Sequence, residues 1–275
     1  MLPSLLLVAL ATGAHGLLSA SGPRVPLVAG GIPLRILALG DSITWGYNDP
    51  RNASYRRDLE CLLHTGGNPV SMAGSVAHGD WADNWSDSFV YHTINDIRVA
   101  AAPELTAPPG TCPGPSRPNV VLVHAGTVDF VLGGPENATA APGHLYDLLD
   151  EATSYNPRAL FVVARLIPNV NATVNGRITR YNDALPAVVA DLWRKRRNVV
   201  LADIGCGMQA SEKYLADGTH PSAEGSLIMA RNWIDALVHA GRRGLIAPPE
   251  CLHGFEDKGA TALGEGGKCN FNWPA

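Results

Sequence analysis

The chain has 275 residues, 46% of them hydrophobic and 17% charged, with 29 Gly, 21 Pro and a formal net charge of −4. That length suits one large α/β domain or two small ones, and the mixture excludes collagen, coiled coil and wholesale disorder. A negative balance argues against nucleic-acid binding, which needs a basic face; the basic run Arg194-Lys195-Arg196-Arg197 reads as the solvated end of a helix.

The first feature along the chain is the apolar run Leu5 to Ala11, with no charged side chain before Arg24. It is far shorter than the roughly 20 apolar residues of a membrane-spanning helix. Ala14 and Gly16 stand at the −3 and −1 positions of a signal-peptidase site. Residues 1–16 are therefore expected to be a secretory signal peptide, followed by a polar leader over residues 17–31. Four N-x-Ser/Thr sequons, at Asn52, Asn84, Asn137 and Asn171, agree with a secreted, extracellular glycoprotein.

Beyond the leader, Leu34 to Leu39 reads as a buried strand stopped by Gly40. Asn119 to His124, Ala159 to Ala164 and Asn198 to Ala202 share its character, and Val70 to Met72 is a shorter candidate. Continuous rather than alternating apolarity means both faces are covered, as in a parallel sheet between helix layers. Helical patterns fall between the runs at about Tyr55 to His64, His144 to Tyr155, Arg177 to Arg196 and Ala223 to Ala240. Strand and helix alternate, so residues 32–245 are expected to form one α/β domain with a parallel sheet of about five strands. The Pro- and Gly-rich stretch from Ala100 to Pro118 reads as a surface excursion.

The five cysteines are too few for a disulfide-built scaffold. In an exported chain disulfides persist. Cys251 and Cys269 bracket a Gly-rich segment within the tail 246–275 that cannot bury a core, so a bridge between them is expected. Cys61, Cys112 and Cys206 would leave one free thiol, with Cys61 to Cys112 as the expected second bridge.

In an open parallel sheet, ligands bind beyond the carboxyl ends of the strands. There the first strand delivers Gly40-Asp41-Ser42-Ile43-Thr44, placing a serine in a tight turn. The third run delivers His124-Ala125-Gly126-Thr127-Val128-Asp129, and near the end comes Asp217-Gly218-Thr219-His220-Pro221. An Asp three residues before a His can orient its imidazole for taking a serine proton. No Gly-x-Ser-x-Gly elbow, His-Glu-x-x-His helix, phosphate loop or Cys-x-x-Cys is present, and the nine histidines lack ligand spacing, so neither metal nor cofactor is expected. Trp45, Tyr47, Trp81 and Trp85 lie near the serine in sequence, as a sugar-stacking platform or as ordinary packing.

These three segments resemble the first, third and fifth blocks of the SGNH/GDSL hydrolases. Ser54-Tyr55-Arg56-Arg57, Ile167-Pro168-Asn169 and Tyr181-Asn182 look like the fungal secreted esterases related to carbohydrate esterase family 3, the acetylxylan esterases among them. The resemblance implies a flavodoxin-like three-layer α/β/α sandwich and metal-independent hydrolysis of acetyl esters. Ser42 would be the nucleophile, His220 the general base and then acid, Asp217 the residue orienting His220, and the Ser42 backbone N–H an oxyanion donor. The substrate would be a small-molecule or cell-wall polysaccharide ester, and the protein a monomer with no nucleic-acid or membrane partner.

Two positions depart from the family pattern. Val128 stands where an Asn side chain donates to the oxyanion, and the segment Ser86 to His92 lacks the glycine of the second block, with Gly74 and Gly79 upstream. Two other readings stay open: a catalytically impaired carbohydrate-binding protein, or a lipase or lysophospholipase-type esterase.

Overall fold

The structure, a computed structural model, describes residues 25–101, 117–250, 255 and 257. The expectations for residues 1–16 and for Cys112, Cys251 and Cys269 fall outside these residues, as does most of the Pro-rich stretch.

The apolar runs become strands within a residue or two of their expected limits. They are β1 (Leu34–Gly40), β2 (Val70–Ala73), β5 (Val120–His124), β6 (Leu160–Ala164) and β7 (Val199–Ala202). All pair in parallel, β2 and β5 flanking β1 and the sheet continuing through β6 to β7. Two short strands escape the hydrophobic pattern, β3 (Val76–Ala77) and β4 (Trp85–Ser88), and complete a seven-stranded sheet. β4 pairs in parallel with the carboxyl end of β1, and β3 pairs antiparallel with β4. β4 carries buried polar side chains instead of apolar ones: the Ser86 and Ser88 hydroxyls bond each other at 2.8 Å, and Asp87 accepts from the Ser75 N–H at 2.7 Å.

Helices cover both faces, as a parallel sheet requires. Leu34, Ile36 and Ala38 of β1 pack in one core with α2 (Tyr55–Thr65) and α7 (Ala223–Arg242). Leu37 and Leu39 face the opposite core, with α3 (Ile94–Ala100), α5 (Pro135–Tyr155) and α6 (Ala172–Arg194). Two short helices, α1 (Ser42–Trp45) and α4 (Thr127–Val131), open directly from the ends of β1 and β5. The result is the expected three-layer sandwich.

Two helix starts and one additional helix differ from the sequence reading. α5 begins at Pro135, about two and a half turns before His144, because a proline at the first position starts a helix; Pro142 and Gly143 lie inside it rather than breaking it. α6 begins at Ala172, where the Asn171 side chain accepts from the Thr173 and Val174 N–H groups. α3 is an addition to the expected helices, although Thr93 and Asp96 form a capping box whose spacing is visible in the sequence. The basic run does end α6: Lys195 and Arg197 both reach Asp150 of α5, at 2.8 and 3.0 Å.

Cys206 is a free, exposed thiol and Cys61 is disulfide-bonded. Among the described residues no helix is long and apolar enough to cross a membrane.

Candidate active site

β1 has β2 on one side and β5 on the other, so successive connections leave it in opposite directions. The crevice beyond its carboxyl end is a switch point of the kind where open α/β sheets bind ligands. Two residues pull the neighbouring strand ends together there. Gly40 lies so close to β5 that a Cβ on it would sit 2.4 Å from the His124 carbonyl oxygen, so no other residue fits. Asp41, fully buried, accepts from the Ile43 N–H at 3.0 Å through one oxygen and from the Thr127 N–H at 3.1 Å through the other. One carboxylate thus caps α1 and ties it to α4.

Ser42 is the first residue of α1, so its N–H has no acceptor within the helix. Its Oγ lies 2.9 Å from His220 Nε2, although the two residues are 178 positions apart. His220 Nδ1 is 2.8 Å from Asp217 Oδ2. The other oxygen of Asp217 accepts from the backbone N–H groups of Thr219 at 3.0 Å and His220 at 2.8 Å. Partial burial pushes the Asp217 pKa up, but the hydrogen bonds and charge of His220 outweigh it and hold the carboxyl at about 2. A carboxylate that stays ionised faces Nδ1, leaving Nε2 to accept a proton from Ser42. The three residues singled out in the sequence are therefore brought together in one chain of hydrogen bonds.

The loop carrying Asp217 and His220 is itself supported. Asn169 Nδ2 donates to Thr219 Oγ1 at 2.9 Å, and the Val170 N–H donates to the Gly218 carbonyl at 2.9 Å. Asn182 grips both the N–H and the carbonyl of Leu166, and Tyr181 donates its hydroxyl to the Ala125 carbonyl at 3.2 Å. Behind α1, the Arg56 guanidinium is fully buried and donates to five carbonyls: Thr44, Trp45, Asn52, His78 and Asn84. Burial lowers its pKa to about 10. It fastens the helix that carries Ser42 to the loops beside it.

Sequence reasoning missed Asn48. Its Nδ2 donates to Asp217 Oδ2 at 2.5 Å, a contact spanning 169 positions that no local pattern signals. Of the four aromatic residues near the serine, only Tyr47 lines the site, its ring 4.9 Å from that of His220. Trp45 stacks on His78, Trp81 is buried with its indole N–H on Glu60 at 2.8 Å, and Trp85 lies on β4 away from the cavity.

Val128, on α4, does line the cavity with Ser42 and His220. Neither Gly74 nor Gly79 does. Gly74 packs against the Ser86 backbone and Gly79 against the Trp81 ring. In the segment that lacks the second-block glycine, Tyr91 adopts the left-handed backbone conformation glycine favours, φ 64°, and borders the cavity. Asp129 faces elsewhere: it accepts from the Ile94 N–H at 3.0 Å at the start of α3, and burial raises its pKa to about 6. Of the sequon residues, Asn52, Asn137 and Asn171 are exposed, while Asn84 is half-buried and donates to the Gly79 carbonyl.

The chain is 29% identical over 235 residues to a multidomain esterase of Ruminococcus flavefaciens, covering 79% of this chain and 30% of that protein. It thus spans under a third of that relative's length. Among solved structures it resembles a family 3 carbohydrate esterase of Clostridium thermocellum, with a TM-score of 0.62 and 25% identity over 78% of this chain and all of that one. A family 3 carbohydrate esterase from Talaromyces cellulolyticus shares the fold, with a TM-score of 0.60 at 21% identity over 76% of this chain and 99% of that one. Residues 38–228 match the GDSL-like lipase/acylhydrolase family, which is well over half the chain, and the protein belongs to that family.

Proposed function

We propose that the protein is a serine esterase that cleaves short-chain carboxylic esters of carbohydrate through an acyl-serine intermediate, acting outside the cell as a glycoprotein. One observation carries the chemistry: Ser42 Oγ, the His220 ring and Asp217 stand in hydrogen-bonded sequence at the switch point of the sheet. As Ser42 Oγ attacks the acyl carbon, His220 Nε2 takes its proton, and Asp217 stabilises the imidazolium that forms. His220 then returns the proton to the leaving alkoxide, and a water molecule repeats the sequence on the acyl-serine. The unshared Ser42 N–H serves as one oxyanion donor. The backbone of Tyr91, in its left-handed conformation at the cavity, takes the place of the second-block glycine.

Support for a carbohydrate alcohol comes from the likeness to a family 3 carbohydrate esterase, and support for export from the N-terminal apolar run and the four sequons. Purified protein is expected to hydrolyse 4-nitrophenyl acetate and to be labelled by a fluorophosphonate, and Ser42→Ala to abolish both. Hydrolysis surviving that substitution refutes the assignment. Val128 favours a second reading, a protein that binds carbohydrate esters without turning them over; absence of labelling in the folded wild-type protein would select it.

A further inference from the structure

The cavity beside Ser42 is chemically one-sided. Ser42, Thr127, Thr219 and His220 line it together with Tyr47, Val90, Tyr91, Val128, Val131 and Leu132. Among the described residues, no carboxylate, no amide side chain and no lysine or arginine faces it. Its volume is about 80 Å³. A single water needs roughly 10–15 Å³ by the same measure, so the space holds more than one small group.

An acetyl group would place one methyl there. The rest would be left to water along the wall of Val90, Val128, Val131 and Leu132, which offers none of the two to four polar partners a bound water needs. A sugar ring fits that wall no better, since hydroxyls set against the four aliphatic side chains would lose water without gaining partners. The apolar surface also continues outward: Leu132 is 64% exposed and Val131 38%, next to Tyr91 at the mouth. Val128 closes the wall, because an amide at its position would interrupt the apolar lining next to Ser42.

We infer that this cavity is an acyl site for unbranched chains of about four to six carbons, seated against Val90, Val128, Val131 and Leu132 in preference to acetyl. The assignment rests on the proposed esterase activity and specifies its substrate. It also gives Val128 a role: the residue that withholds an oxyanion donor supplies apolar wall to the acyl chain.

The test is kcat/KM across 4-nitrophenyl acetate, butyrate, hexanoate and decanoate, which share one leaving group. Each buried methylene favours binding about fourfold. Butyrate is expected to exceed acetate by at least tenfold and hexanoate to exceed butyrate, with decanoate falling once the cavity is full. Leu132→Asp, at an exposed position that does not threaten folding, is expected to reduce the hexanoate-to-acetate ratio at least tenfold, mainly through KM. Turnover that is highest on acetate, or a ratio unmoved by Leu132→Asp, overturns the assignment while leaving the esterase intact. No turnover on any ester removes the esterase reading, and this assignment with it.

Discussion

Asp217 can be removed as a charge with little change of shape, and the four N–H groups that converge on its carboxylate fix the consequence. His220 Nδ1 and Asn48 Nδ2 meet Oδ2, and the backbone N–H groups of Thr219 and His220 meet Oδ1. In Asp217→Asn a single oxygen remains. The backbone donors cannot turn away, so that oxygen stays with them and the new amide N–H groups face His220 and Asn48. His220 Nδ1 must then accept, which moves the ring proton to Nε2, toward Ser42 Oγ at 2.9 Å. An Nε2 that already carries a proton cannot take one from serine. Wrong-tautomer variants of this kind lose about 10,000-fold in kcat, roughly 5.4 kcal/mol of barrier. Steady-state hydrolysis of a 4-nitrophenyl ester measures the loss, and a thermal melt shows whether the fold is kept. Asn48→Ala, which removes one of the four donors and leaves the tautomer alone, is expected to cost less than tenfold. A well-folded Asp217→Asn enzyme within tenfold of wild type would refute proton transfer along the Ser42, His220 and Asp217 chain.

Val128→Asn introduces an amide beside Ser42 where the family pattern places an oxyanion donor, and kcat on acetate is expected to rise about 100-fold. The same variant is expected to lose selectivity for longer chains; unchanged kinetics on the acetate-to-hexanoate series would show that the new amide faces neither group. Asp129 predicts a pH effect on stability. Its folded pKa of about 6 lies above its ordinary 3.8, so between those values the folded chain holds a proton that the unfolded chain has released. The protonated carboxyl favours folding at low pH, and that contribution is lost as pH rises through about 6, at a cost of at most about 3 kcal/mol. Asp129→Asn keeps an oxygen for the Ile94 N–H and is expected to flatten the decline in urea midpoint from pH 4 to pH 7. A decline as steep as that of wild type would place the titration elsewhere.

Several features were legible from local chemistry alone. The mainly apolar runs of β1, β5 and β6 are strands buried on both faces, with Arg35 and His124 the polar exceptions, because a sheet covered by helices favours apolar side chains on both sides of a strand; β7 at the sheet edge is half-buried at Val200 and Leu201. Ser42 at the end of the first run, with Asp217 three residues before His220, already named the groups that meet. Where the sequence misled, a local rule was overridden by packing. β4 is a strand of Trp, Ser and Asp because its side chains bond to one another and to the Ser75 backbone, so no hydrophobic period marks it. Asp129, next to Val128 in sequence, likewise spends its carboxylate on the first turn of α3, a contact no local pattern marks.

The amino-acid order by itself determined the main parallel strands, the two covered faces and which serine, histidine and aspartate to look for, since each depends on neighbours a few residues away. Only the folded chain decided that Asn48 steadies Asp217, that Tyr91 rather than a glycine turns left-handed at the cavity, and that Val128 joins Val90, Val131 and Leu132 in an apolar wall. Those relations join segments dozens to well over a hundred positions apart. They arise from where the sheet brings its loops, which no local pattern of residues encodes.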